Sequence, residues 1–170
     1  MKKLMALSLL VMILSGSVSI GETINYTKAE IGYLSFEYNA AYPLTEKSEG
    51  GISIALEEGM AYLDAVELDF EVGVDMARLL FGVAATKPFE ENGGQITDQG
   101  ELELNGITAN YASGIFEYTE KTLFCTHIAL MHNNIIYRIS YYYDTSINNA
   151  DDDKFGADIF HLFETITLGE

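Results

Sequence analysis

The sequence has almost none of the cysteine that would hold a small fold together covalently. Cys125 is the only cysteine among 170 residues, and one cysteine cannot form an intramolecular disulfide. The fold must therefore be held by its core alone, even in an oxidising compartment. Without the leader described below, about 150 residues remain, enough for one domain that buries roughly 70% of its unfolded surface. Since no internal repeat or low-complexity linker divides them, residues 22–170 are predicted to form a single domain.

Basic residues are also scarce. Nine Lys and Arg stand against 26 Asp and Glu, which gives a formal net charge of −17 at pH 7. Such a surface repels nucleic acid and anionic membranes, because phosphate contacts require positive charge. The sequence therefore predicts no nucleic-acid partner, whereas cationic partners and divalent ions remain open. Acidity of this kind also keeps an exported protein soluble.

The apolar run near the N-terminus is too short to span a membrane. Leu4 to Leu14 has eleven residues, whereas a membrane-spanning helix needs about 20. The run follows Lys2 and Lys3 and precedes small residues, a layout that favours a secretory signal peptide over a buried helix. Residues 1–21 are therefore predicted to be a signal peptide, with cleavage after position 17, 19 or 21.

Export would change both the charge and the location of the protein. Removal of residues 1–21 takes away two lysines and no acid, and leaves 7 basic and 26 acidic residues, a net charge of −19. No cysteine follows the apolar run, so the lipid-attachment signal of bacterial lipoproteins is missing. The expected location is secreted or extracytoplasmic, in the bacterial periplasm or at the cell surface, with no membrane attachment after cleavage. The oligomeric state stays open.

Alternating apolar residues predict strands in the first part of the chain. Residues 31–39 have the period of a half-buried strand. Its apolar face consists of Leu34, Phe36 and Tyr38. The segments 52–56 and 60–68 are predicted to form a hairpin closed by the turn Glu57–Gly59, although their Leu, Glu, Met and Ala content also fits a helix. Asn105–Gly106 is the strongest turn signal, because both residues tolerate the positive φ of a two-residue hairpin.

Two segments have the periodicity of helices. The first is predicted over residues 72–86, and Pro88 lies beyond its expected end. Its apolar face consists of Met76, Leu79, Leu80 and Val83. The second begins at the aspartates 151–153, where the helix dipole favours negative charge. Its apolar stripe consists of Phe155, Ile159, Leu162, Phe163 and Ile166.

The stretch from Cys125 to His132 holds the only cysteine and two of the three histidines. It is predicted to be one strand of a hairpin with the turn Asn133–Asn134 and a partner strand over residues 135–143. The register then builds a nearly continuous apolar face from these pairs: Leu130 with Tyr137, Ile128 with Ile139, Thr126 with Tyr141, and Phe124 with Tyr143. The other face pairs Cys125 with Tyr142, His127 with Ser140, Ala129 with Arg138, and Met131 with Ile136.

This register argues against a metal or thiol site. His132 points to the opposite face from Cys125 and lies about 23 Å away at 3.3 Å per residue, whereas zinc ligands converge within about 2.0 to 2.3 Å of the ion. Cys125 and His127 share a face, as a thiolate and its base would. Residues two apart on a strand nevertheless stand about 6 to 7 Å apart, and no Asn or Asp on that face is identifiable to orient the imidazole. A buried, inert cysteine beside a half-buried histidine is expected.

Other motif tests are negative. A twelve-residue calcium loop starting at Asp144 has Asn149 in place of Gly and Phe155 in place of Glu, and one starting at Glu90 has Gln95 in place of Gly. The sequence has no phosphate-binding G-x-G-x-x-G and no G-x-S-x-G nucleophile elbow. It therefore predicts no catalytic, cofactor-binding or metal-binding residue, no cofactor and no enzymatic activity, although an irregular acidic cluster can still hold a weakly bound divalent ion.

The order of elements resembles the PsbP-like family. The resemblance rests on "GYLSFEYNAAYP", the hairpin "GGISIALEEGMAYLDAVELD", the helix that follows, "LNGITANY", "HNNIIYRISYYYD" and the closing "FGADIFHLFETITL". It implies an α+β fold, an antiparallel β-sheet flanked by helices in an α-β-α sandwich. The family is named for an extrinsic photosystem II protein, and its bacterial relatives are commonly exported binding or accessory proteins. This chain lacks the lipid-attachment cysteine and the tryptophan that often follows "YP", and no functional residue is carried over from the family.

Three functions compete at this stage. The first is an exported, non-catalytic binding or accessory protein of the cell envelope with a protein partner. The alternative is an acidic protein that binds a divalent ion or a small ligand. A thiol hydrolase that uses Cys125 and His127 is the third, and the surroundings expected for Cys125 disfavour it.

Overall fold

The structure is a computed structural model that describes residues 24–46, 51–56, 59–145 and 152–169. The predicted signal peptide, residues 1–21, lies outside the described residues. Within the described ranges the chain forms ten strands and two helices, and every strand pair is antiparallel. The prediction of an α+β fold with helices flanking antiparallel sheet is therefore confirmed.

A small three-stranded sheet joins the two ends of the described chain. Its order is β1-β2-β10, and its strands are β1 (Tyr26–Ile31), β2 (Leu34–Asn39) and β10 (Thr167–Leu168). The prediction of one strand over residues 31–39 was wrong at its start, because Gly32 and Tyr33 form the turn between β1 and β2. Gly32 has φ +57°, and a Cβ there would lie 2.8 Å from the hydroxyl of Tyr137. That hydroxyl accepts a hydrogen bond from the Tyr33 N–H at 2.9 Å.

A larger seven-stranded sheet forms the centre of the molecule. Its order is β3-β4-β5-β9-β8-β7-β6. The strands are β3 (Leu44–Glu46), β4 (Ile52–Ala55), β5 (Gly59–Glu67), β6 (Gln95–Leu104), β7 (Ile107–Tyr118), β8 (Lys121–His132) and β9 (Ile135–Asp144).

The predicted hairpin turns of this sheet, and the register predicted between β8 and β9, are confirmed. Asn105–Gly106 and Asn133–Asn134 both form their turns with positive φ, and all eight cross-strand pairs predicted between β8 and β9 are present. The segments after residue 51 form a hairpin and not a helix, with Ala55 opposite Met60. Residues 57 and 58 of its turn lie outside the described residues.

The first helix differs from its prediction in extent and in the side chains that it buries. This helix, α1 (Val74–Glu91), includes Pro88. It is capped by the next residue, Asn92, whose backbone and side-chain N–H groups both donate to the Pro88 carbonyl. It buries Ala85 and Phe89 against the large sheet. Its predicted apolar face is largely exposed instead, with exposed fractions of 52% for Met76, 63% for Leu79 and 49% for Val83.

The second helix, α2 (Asp152–Glu164), packs as predicted. Ile159 and Leu162 are buried, together with Ile166 just beyond the helix. Phe163 is half-buried, and its ring centroid lies 6.0 Å from that of Tyr141 in β9. The side chain of Phe155, the first residue of the predicted stripe, lies outside the described residues.

The large sheet separates two cores, and each helix covers one of its faces. The larger core joins α2 and the small sheet to one face of the large sheet. The smaller core lies beneath α1 on the other face and contains Cys125, Ala112 and Ala129. In the part of the chain that the structure describes, neither helix is both long and apolar enough to span a membrane.

Candidate functional site

Cys125 and His127 lie on β8 beneath α1, and their side chains are closer than the strand spacing alone implies. Cys125 Sγ lies 3.7 Å from His127 Nε2. The other ring nitrogen, Nδ1, forms a 2.7 Å hydrogen bond with the Ser140 hydroxyl. A group that orients the imidazole is therefore present. Sequence reasoning searched this face only for Asn or Asp and missed the serine, although the predicted register already placed Ser140 opposite His127.

Burial nevertheless keeps this pair uncharged. Desolvation raises the pKa of the Cys125 thiol to about 12. It also lowers the pKa of His127 to about 4, with the nearby Arg138 guanidinium as the second cause. The ring of Phe89 closes the site from above, with its centroid 5.1 Å from that of His127. At neutral pH the pair is a thiol beside a neutral imidazole, which is the opposite of the thiolate that nucleophilic catalysis requires.

His132 lies away from this pair. Its Nε2 is 2.8 Å from the carbonyl oxygen of Gly169, and its ring contacts that of Tyr33 on the small sheet. The structure thus brings Cys125 and His127 together and places His132 elsewhere. Among the described residues, no group of three or more His, Cys, Asp or Glu side chains is arranged to hold a metal ion. Half of the calcium loop tested from Asp144, residues 146–151, lies outside the described residues.

A groove of about 640 Å³ lies between the C-terminal end of α1 and the sheet, and we call it the α1–sheet groove. Its lining residues come from the end of α1 and from four strands: Gly59, Met60, Pro88, Phe89, Asn92, Phe116, Tyr118, Lys121, Leu123, His127, Tyr142, Tyr143 and Asp144. The volume is within the range of small-molecule sites, about 300 to 1,000 Å³. Aromatic rings form much of its wall, and sequence reasoning missed it because its residues come from five separate elements.

The polar groups of the groove are few. Lys121 Nζ lies 2.8 Å from Asp144 Oδ2, with the lysine side chain 62% exposed and the aspartate side chain 9% exposed. His127 reaches the groove from below. On the same sheet face, Arg138 Nε donates to Asp64 Oδ1 at 2.8 Å and its Nη2 donates to the second carboxylate oxygen. The Asp64 carboxylate is therefore already paired within the sheet.

A second surface feature consists of the unburied face of α1 and Phe70, which precedes the helix. We call it the apolar helix surface and define it as Phe70, Met76, Leu79 and Val83, which are all exposed. Phe70 precedes the helix and is held in place by its carbonyl, which accepts a 2.8 Å hydrogen bond from the side chain of Asn134. Three exposed carboxylates flank this segment: Glu67, Asp69 and Glu71.

We compared the sequence and the structure of this chain with those of known proteins. No protein-family model matches the sequence, and no curated protein shows significant similarity to it. Among solved structures, cyanobacterial PsbP (CyanoP) from Synechocystis matches with a TM-score of 0.60, over 91% of this chain and 99% of that one, at 6% identity. The fold is PsbP-like.

Two further structures share the PsbP-like fold. LpqN, a protein involved in cell envelope biogenesis of Mycobacterium tuberculosis, matches with a TM-score of 0.53, over 88% of this chain and 93% of that one, at 14% identity. A protein from Bacteroides thetaiotaomicron matches with a TM-score of 0.58 at 12% identity, over 88% of this chain. The chain spans 50% of the length of that protein. At these identities the likeness concerns architecture, and function must be argued from surfaces and sites.

Proposed function

We propose that this protein is an exported, non-catalytic accessory protein of the cell envelope that acts by binding a protein partner. Two observations support the non-catalytic part. Cys125 and His127 are uncharged at neutral pH. The fold is shared with LpqN, which is described as involved in cell envelope biogenesis, and with CyanoP. The feature that carries the binding part is the apolar helix surface.

The apolar helix surface is unusual because α1 has the sequence pattern of a buried helix face. Met76, Leu79 and Val83 recur at intervals of three and four residues and so lie on one side of the helix. The helix is held to the sheet by its C-terminal half, through Ala85 and Phe89. Contiguous exposed apolar side chains on a soluble protein mark interaction sites, whereas isolated ones do not.

The charge around this surface defines the chemistry of the partner. Glu67, Asp69 and Glu71 are exposed beside Phe70, and the whole chain carries a formal net charge of −17. A complementary partner surface has an apolar centre surrounded by Lys and Arg, because opposite potentials steer association and like charges oppose it. The proposed partner is therefore a protein with a basic-rimmed apolar patch.

Site-specific photo-crosslinking tests this proposal. A photoreactive residue at position 79 is expected to capture a discrete envelope protein in intact source cells. The same residue at position 33 is the matched control, because Tyr33 is also an exposed apolar residue but lies on the small sheet. Binding of the captured protein, once purified, should weaken at least tenfold with Leu79→Lys, remain with Tyr33→Lys, and weaken as salt is raised.

Three results would contradict the proposal. If the photoreactive residue captured the same proteins in equal amounts from positions 33 and 79, the contacts of the helix surface would be non-specific. Crosslinking only to a second copy of this chain would show that the surface mediates self-association and does not bind a different protein. Binding that is unchanged in a correctly folded Leu79→Lys protein would remove the helix surface from the interface.

A further inference from the structure

We propose that the α1–sheet groove binds a small organic cation with an apolar body, such as an aromatic or quaternary amine. This inference goes beyond the proposed partner binding, because the groove lies at the C-terminal end of α1 and shares no residue with the apolar helix surface. It depends on three features of the groove: its aromatic wall, its carboxylate and the field around it.

The wall supplies the aromatic faces and edges that a cation with an apolar body requires. Phe116 and Tyr142 meet edge to face, with ring centroids 6.0 Å apart, and Tyr118 at the mouth is 59% exposed. Rings that meet at a steep angle form a corner, so that a ligand seated there contacts more than one ring. Aromatic faces attract cations through the ring quadrupole, and quaternary ammonium groups are recognised by such arrangements.

The carboxylate supplies a fixed negative charge at the edge of the groove. Asp144 ends β9 and is held within the sheet opposite Leu123, with only 9% of its side chain exposed. Its ion-pair partner Lys121 is 62% exposed, so its ammonium group can move to solvent. A bound ligand cation would then take the place of the Lys121 ammonium beside Asp144.

The surrounding field favours a cation over an anion. The C-terminal end of a helix carries partial negative charge, and the last turn of α1, within the described range 59–145, contains no basic residue. Among the described lining residues, Lys121 is the single lysine or arginine, and its side chain is 62% exposed, so that its ammonium group can turn away from the groove. His127 adds no positive charge at neutral pH, because burial lowers its pKa to about 4.

An NMR titration of the purified, isotope-labelled protein with three matched probes tests the inference. The probes are benzyltrimethylammonium, benzyl alcohol and phenylacetate, which share a benzyl group and differ in charge. Benzyltrimethylammonium should bind about fivefold more tightly than either of the others. The amide signals of Tyr118, Lys121 and Tyr142 should shift and saturate, and those of the small sheet should not.

Variants of two groove residues give opposite expected changes. Lys121→Met removes the competing ammonium, so binding of the cation should strengthen about threefold. Tyr118→Ala removes an aromatic face, so binding should weaken about fivefold. Tyr33→Ala, an exposed tyrosine on the small sheet, is the matched control and should leave the affinity unchanged.

The inference is overturned by any of three outcomes. Phenylacetate binding as tight as that of the cation would make the groove an anion site that uses Lys121. Weaker cation binding in Lys121→Met would show that the Lys121 ammonium does not compete with the ligand for Asp144. Absence of saturable shifts at the groove amides with every probe would show that the groove is not a ligand site.

Discussion

At the scale of single residues, burial decides the chemistry of Cys125 and His127 more strongly than their proximity does. The two side chains lie within 3.7 Å, and Ser140 orients the imidazole, which is the layout of an activated nucleophile. Transfer of either charged form into the apolar core beneath Phe89 is unfavourable, however, and both groups remain neutral. The geometry alone suggests an activated thiol, but burial favours the neutral thiol and the neutral imidazole.

The neutral His127 makes stability depend on pH. Its pKa is lowered from 6.5 to about 4 in the folded protein, so below pH 6.5 the unfolded chain binds a proton that the folded protein does not. The contribution of neutral His127 to the free energy of unfolding is therefore fully present above pH 6.5 and is lost as the pH is lowered towards 4. Between pH 7.5 and 4.5 this residue should cost about 2 to 3 kcal/mol of unfolding free energy.

Urea melts of the native protein and of His127→Gln at both pH values measure this contribution. The variant should lose less stability on acidification, by about that amount. Equal pH dependence in the native protein and in His127→Gln would contradict the buried, neutral state of His127.

At the scale of elements, α1 is positioned by a close approach to one strand. Phe89 is buried above Gly114 in β7, where a Cβ would lie 2.8 Å from the Phe89 ring and 2.2 Å from the Gln95 carbonyl oxygen. This contact holds the C-terminal half of the helix to the sheet and forms one wall of the α1–sheet groove. The exposed residues Met76, Leu79 and Val83 then lie on the side that faces away from the smaller core.

Two glycine substitutions should change the free energy of unfolding in opposite directions, and the first of them tests this attachment. Gly114→Ala should destabilise the protein by about 1 to 3 kcal/mol, because the backbone of β6 must shift to admit the methyl group. Gly82→Ala should stabilise it by about 0.5 to 1 kcal/mol, because Gly82 lies within α1 and no other element approaches its Cβ position. Urea denaturation measures both values, and a stabilising Gly114→Ala would contradict the close approach.

At the scale of the whole molecule, one sheet with two separately covered faces stabilises the chain without a disulfide. The larger core fixes α2 and the small sheet, so that residues near both ends of the described chain lie in one cluster. The smaller core is built from small side chains and Phe89. A fold held in this way suits the acidic, extracytoplasmic protein that we propose, because it needs no oxidant to become stable.

Export is the prediction that belongs to the whole chain. The short apolar segment after Lys2 and Lys3 predicts cleavage between residues 17 and 22. N-terminal sequencing of the protein recovered from periplasm or culture medium should therefore give a first residue in the range 18–22. Recovery of a cytosolic protein that still begins with Met1 would contradict export.

Local sequence determined the strands and turns of the second half of the sheet. Asn105–Gly106 and Asn133–Asn134 adopt positive φ readily, and a two-residue turn leaves a single register for its strands. The pairing of β8 with β9 was therefore predictable residue by residue, as was the buried stripe of α2. These features depend on interactions between residues that are close in sequence or directly opposite across one turn.

Tertiary structure alone decided which face of α1 is buried and what lies around Cys125. Met76, Leu79 and Val83 have the same periodicity whether a sheet covers them or not, and the position of Gly114 opposite Phe89 selected the other side of the helix. The burial of Cys125 and His127 beneath Phe89, the turn at Gly32 and the groove likewise depend on side chains from distant parts of the chain. A local sequence pattern indicates that one side of an element is apolar, but only long-range packing determines what covers that side.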